Sequence, residues 1–100
     1  MTTALVITTY NAPLDLRCTL LSVAMQTVMP DEIIIADDGS REPTREMIES
    51  LRPIFGGRLV HVWQPDEGFQ LSRIRNRAIA AAQSDYIIMI DGDMILDRRF

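Results

Sequence analysis

Short apolar runs alternate with amphipathic stretches along the whole chain. Residues 4–7, 32–36, 59–63 and 86–90 are rich in Ile, Val and Leu with little polar alternation, the pattern of strands buried on both faces of a parallel sheet. Between them, apolar residues recur at helical spacing. Leu16, Leu20, Val23 and Thr27 predict a helix capped by Asn11, opened by Pro13 and running to about Val28, where Met29-Pro30-Asp31 stops it. Met47, Ile48, Leu51 and Phe55 predict a second helix from near Pro43 to Gly56-Gly57, and Leu71, Ile74, Ala78, Ala81 and Ala82 a third over residues 70–83. Each crossover holds one helix. The expected fold is therefore α/β: an open, mainly parallel sheet with helices on both faces and right-handed crossovers, in one unit spanning residues 1–100.

That topology gathers the polar segments after each strand at the carboxyl edge of the sheet, where open α/β folds bind ligands. Four segments meet there: Thr8 to Asn11, Asp37-Asp38-Gly39-Ser40, Asp66-Glu67-Gly68 and Asp91-Gly92-Asp93. Gly92 lets the last turn bend sharply so that two carboxylates converge, a hard oxygen donor set suited to Mg²⁺ or Mn²⁺. The alternative is an acidic turn with no ligand. Asp37 and Asp38 either accept from a ribose hydroxyl or base N–H or, with Ser40, cap the following helix. Arg75 flanks the apolar stripe of the third helix and needs an anion, supplied by an aspartate or by a ligand phosphate. Arg73 and Arg77 point together toward solvent.

Composition narrows the function classes. A formal net charge of −4 and a pI of about 4.8 oppose a nucleic-acid footprint, which requires a basic patch. Cys18 is the only cysteine, so neither an internal disulfide nor a cysteine-based zinc site can form, and a reducing cytoplasm is the expected compartment. The amino terminus enters a strand without a basic, apolar leader, and no apolar run approaches the ~20 residues of a membrane span. Peripheral association of a longer protein with the inner face of the membrane stays open, as does a homodimer through exposed sheet edges. Neither a Walker loop nor Gly-x-Gly-x-x-Gly follows the first strand. His61, inside the third apolar run, reads as structural. Cys18 and Ser22 have no adjacent base for nucleophilic catalysis.

Four segments in order, Val6-Ile7-Thr8-Thr9-Tyr10-Asn11, Ile35-Ala36-Asp37-Asp38-Gly39-Ser40, Arg75-Asn76 and Ile90-Asp91-Gly92-Asp93, resemble the amino-terminal signatures of the family 2 glycosyltransferases of GT-A fold. Asp66-Glu67-Gly68-Phe69-Gln70-Leu71-Ser72 is most similar to the branch holding the bacterial chondroitin-type polymerases. The resemblance covers essentially the whole chain. It implies inverting transfer of a sugar from a nucleotide diphosphate donor, usually UDP-linked, to a saccharide or glycolipid hydroxyl. It further implies that Thr8, Tyr10 and Asn11 line the nucleoside pocket, that Asp38 binds uracil and that Arg75 lies near the diphosphate. Asp91 is implied near the ribose or metal, and Asp93 as the direct Mn²⁺ or Mg²⁺ ligand. The family's catalytic base lies well beyond the metal turn, so it is expected after Phe100, and a donor-binding half that transfers nothing alone is the expectation for these 100 residues. Two alternatives stay open: a nucleotidyltransferase, which wants a glycine-rich basic loop that Thr8 to Asn11 does not supply, and a non-catalytic interaction module.

Overall fold

In the computed structural model, residues 1–68 and 70–93 are described; Phe69, within the polymerase-like stretch, and residues 94–100 lie outside them. Four strands, β1 (Thr3–Thr9), β2 (Glu32–Asp37), β3 (Leu59–Trp63) and β4 (Tyr86–Asp91), form one sheet in the order β3-β2-β1-β4, and every pairing is parallel. Three α-helices make the crossovers: α1 (Pro13–Ala24), α2 (Glu42–Phe55) and α3 (Leu71–Ala81). The expected fold class is thus observed.

Alternation along the strands sorts their side chains onto two layers. Leu5, Ile7, Ile33, Ile35, Leu59 and Ile90 pack with Leu16, Leu20 and Val23 of α1 and Ile48, Leu51 and Phe55 of α2. Ala4, Val6, Ile34 and Ala36 face the opposite layer, against Ile74 and Ala78 of α3. The smaller residues on that side let one helix lie close to the sheet.

Four local expectations are corrected. Helix α1 stops at Ala24 rather than near Val28, because Met25 and Gln26 donate back only three residues, to Ser22 and Val23, tightening the last turn before the chain returns to the start of β2. Asn11 does not cap α1. Ala12 holds the N-cap position without a side-chain bond, while Asn11 adopts a left-handed φ of 47° and turns its amide oxygen to the Arg41 N–H at 2.7 Å. The central surprise is β4, expected to be buried on both faces. Ile90 is buried, yet Ile87, Ile88 and Met89 are 38–40% exposed; among the described residues β4 pairs only with β1. Ala81, expected inward, is exposed.

Candidate functional site

The carboxyl edge carries a crevice of about 480 Å³ lined by Thr8, Thr9, Tyr10, Ala12, Asp15, Asp38, Leu71, Asp91, Gly92 and Asp93, within the size range of small-molecule sites. Strand ends from β1, β2 and β4 and the first turns of α1 and α3 enclose it. Of the expected residues, Thr8, Tyr10, Asp38, Asp91 and Asp93 converge there.

Arg75 and Asn11 lie beside it. Arg75 lines an adjoining cavity of about 170 Å³ with Thr8 and Asp91, two residues that also line the crevice. Its Nε is buried without a hydrogen-bond partner, and among the described residues no carboxylate pairs with its guanidinium. The aspartate pairing left open by the sequence is therefore not formed, and the group is left facing the Asp91 side of the crevice, in need of an anion. Asn11 instead ties two loops together: its N–H donates to Ser40 Oγ at 2.8 Å while its side chain accepts from Arg41.

The two acidic turns differ in what their oxygens do. Asp37 is 1% exposed, and its Oδ1 accepts from the Ser40 N–H at 2.9 Å. Its Oδ2 lies 2.8 Å from His61 Nε2, which donates to the carboxylate, so His61 is the structural residue its position suggested. Asp38, 5% exposed, accepts from Gln64 Nε2 at 2.7 Å and the Gln70 N–H at 2.9 Å. Neither aspartate nor Ser40 caps α2, whose N-cap is Arg41 with no side-chain bond. At the other turn, Asp91 Oδ1 accepts from Thr8 Oγ1 at 3.1 Å, whereas Asp93 is exposed and has no partner among the described residues. The site also shows why Gly92 is needed: a Cβ there would lie 2.5 Å from the Thr8 carbonyl oxygen. The turn is held from below by Thr19 Oγ1, which donates to the Gly92 carbonyl at 3.0 Å.

Sequence reasoning missed several participants. Gln64 is fully buried and bridges Asp38 to the Gln70 carbonyl and to Arg73, whose Nε donates to Gln64 Oε1 at 3.2 Å. A glutamine directly after a strand was the available signal. Arg73 is consequently not a solvent residue; its Nη2 also reaches Glu67 at 3.1 Å. Asp15 enters the crevice from the first turn of α1. The Tyr10 hydroxyl donates to Asp66 Oδ2 at 2.7 Å, and this bond to a carboxylate raises the phenol above its ordinary value of 10.0. The loops after β1 and β3 are joined by that contact.

Asp91 and Asp93 fit a hard divalent cation by donor type, with Asp93 uncommitted. Among the described residues no group of three His, Cys, Asp or Glu side chains is arranged to hold a metal alone. Mg²⁺ commonly uses one or two carboxylates, with substrate phosphates and water completing its shell, so a two-carboxylate turn beside a phosphate-sized opening suits it.

A model described as glycosyl transferase family 2 matches residues 4–100. A chondroitin synthase of Escherichia coli is 36% identical over 92 residues, covering 91% of this chain and 13% of that protein. A hyaluronan synthase of Pasteurella multocida is 37% identical over 92 residues, covering 91% and 9%. The chain thus spans about a tenth of the length of these relatives. Crystal structures of S. aureus TarS share the fold: the complex of residues 1–349 with UDP superposes with a TM-score of 0.86 at 22% identity, over 99% of this chain and 29% of that one. The same fragment with UDP-GlcNAc gives 0.85 at 23% identity, over 98% and 28%. No helix among the described residues is long and apolar enough to cross a membrane.

Proposed function

Because the chain belongs to glycosyl transferase family 2, we propose that its crevice holds the nucleotide diphosphate of a sugar donor, with UDP the nucleotide, for metal-dependent transfer with inversion to a saccharide hydroxyl. The observation that carries this reading is the contrast between bonded and unbonded groups around the crevice and the cavity that adjoins it. Among the described residues, Asp93 in the crevice and the Arg75 Nε in the adjoining cavity have no protein partner, a cation-seeking group and an anion-seeking one in two openings that share Thr8 and Asp91. A metal-bound diphosphate would answer both. UDP in a neighbour of the same fold supports the nucleotide assignment.

In this reading Tyr10 forms an aromatic wall for the nucleoside, its orientation set by Asp66, with Thr8 beside it. Asp38 has used one lone pair on each oxygen for Gln64 and Gln70, and a carboxylate offers about four such sites; it can still accept from the uracil N–H. Asn11 acts behind the pocket by fixing the turn that carries Asp38. Asp93 ligates Mn²⁺ or Mg²⁺, and Asp91, steadied by Thr8, takes the ribose or shares the metal. The cation, when bound, neutralises charge that builds on the departing diphosphate. Arg75 adds a fixed positive charge to the same leaving group.

In the same proposal, the acceptor-binding half and the general base that deprotonates the acceptor hydroxyl lie outside residues 1–100, and these residues bind donor without transferring it; the chain's share of 13% of the E. coli relative is in keeping with that. Calorimetric titration of UDP with and without Mn²⁺, on the chain and on Asp93→Ala, tests the proposal. Binding that requires both the metal and Asp93 is expected. Metal-independent binding, or binding undiminished in Asp93→Ala, would overturn it.

A further inference from the structure

A second cavity, of about 360 Å³, opens on the other side of the Asp37-Asp38 turn, lined by Ser40, Arg41, Glu42, Arg45, His61 and Trp63. It shares no lining residue with the donor crevice. Among the described residues β3 forms one edge of the sheet and β4 the other, three strand spacings or roughly 14 Å apart. That distance separates the cavity from Asp93, and its nearest approach to the donor crevice is at Asp38, two residues from Ser40.

Three features of the lining define a ligand. The Trp63 indole N–H donates to the Ser40 carbonyl at 3.1 Å, which fixes the ring, yet Trp63 remains 49% exposed. A pinned aromatic surface left open to a cavity is a platform for a flat or ring-shaped partner. Arg41 and Arg45 bring two cations to a chain whose net charge is −4; the one opposing carboxylate, Glu42, lies 3.7 Å from Arg45 in an exposed pair. His61 is held at Nε2 by Asp37, and its Nδ1 has no partner among the described residues. An arginine fork suits a carboxylate or phosphate, while Ser40 and Glu42 can accept from hydroxyls. A nucleobase would want paired amide-like donors and acceptors along its edge, and this lining has no amide side chain.

We propose that this cavity is a binding site for an anionic sugar, one carrying a carboxylate or a phosphate. The ring lies on Trp63 and the anionic group on Arg41 and Arg45. The site does not rest on the donor reading, because none of its residues lines that reading's crevice.

The molecule supplies its own reporters, since Trp63 and His61 are the only tryptophan and the only histidine in the chain. Glucuronate, glucose 6-phosphate, glucose and inorganic phosphate are titrated separately while Trp63 fluorescence and the His61 ring resonances are followed. Saturable changes at both residues are expected with glucuronate or glucose 6-phosphate, and the stronger of the two identifies the anion. Glucose should bind at least about tenfold more weakly, the worth of a charge-assisted contact. Arg45→Ala should weaken the anionic sugar by a similar factor, Glu42→Gln should tighten it, and saturating UDP with Mn²⁺ should leave it unchanged. No response to either anionic sugar, a response to inorganic phosphate as strong as to the sugars, or displacement by UDP would each overturn the proposal. Circular dichroism of each variant confirms that the fold is kept.

Discussion

The turn after β2 and the turn after β4 are both acidic and both hold a glycine, but only in the first does the protein bond every carboxylate oxygen. Asp37 and Asp38 are buried and give all four of their carboxylate oxygens to protein donors: Ser40, His61, Gln64 and Gln70. Among the described residues Asp91 gives one oxygen to Thr8, and Asp93 gives none. Two aspartates close together in sequence therefore carry opposite meanings depending on which strand precedes them. β2 lies inside the sheet, with loops arriving from β1 and β3 to meet its turn; among the described residues β4 lies at the edge, with a neighbour on one side only. The turn after β2 is surrounded by donors, and the turn after β4 is left open.

The glycines make the largest test of that contrast. A Cβ at Gly39 would lie 2.5 Å from the backbone of Asp66, and Gly39 also has φ of +88°. Gly92 faces an equally close obstacle, the Thr8 carbonyl, but its φ is outside the left-handed region. Overpacking costs about 1–3 kcal/mol and a strained backbone residue about 1–3 more. Gly39→Ala is therefore expected to lose about 4 kcal/mol in denaturant unfolding and Gly92→Ala about 2 kcal/mol. Equal losses would mean that the conformation at Gly39 adds nothing to the overlap.

The aspartates come next. Asp37→Ala strands the buried Ser40 N–H and the His61 ring nitrogen, at about 3 kcal/mol in total. Asp93→Ala removes an exposed, unpartnered carboxylate and should change stability by less than about 0.5 kcal/mol, while removing the metal-dependent binding of UDP. A destabilised Asp93→Ala would show that the second turn is architecture too.

How far these differences could be read from the sequence follows from their range. Strand and helix order, the two-sided sheet and the convergence of Thr8, Tyr10, Asp38, Asp91 and Asp93 come from local periodicity and from the rule that parallel strands end on one edge. The roles of Gln64, Arg73 and Asn11 were not legible, since each depends on which loop meets which: Gln64 is 26 residues from Asp38, and Asn11 is 30 from Arg41. The burial of β4 departs from its sequence pattern for a related reason. An unbroken Ile-rich run records the surroundings for which a strand is suited, and the described residues supply those surroundings on one side only. Helix α1 looked longer than it is because Thr27 continued the 3.6-residue period by coincidence.

The smallest effect lies at the contact that joins the loops after β1 and β3 beside the first turn. The Tyr10 hydroxyl donates to Asp66, and once ionised it could neither donate nor sit comfortably beside a carboxylate; its pKa is accordingly raised above 10.0. A group whose folded value is raised contributes its stabilisation fully below the unfolded value and loses it as the pH climbs through the folded one. The contact should therefore be intact below pH 10.0 and release only in more alkaline solution. In a Tyr86→Phe background, ultraviolet titration of the remaining phenol should show an ionisation above 10.0, and Asp66→Ala should return it to the ordinary value. An unshifted phenol in the parent background would mean that these two loops are not joined in solution, and that the first turn is held only by the four donors on Asp37 and Asp38.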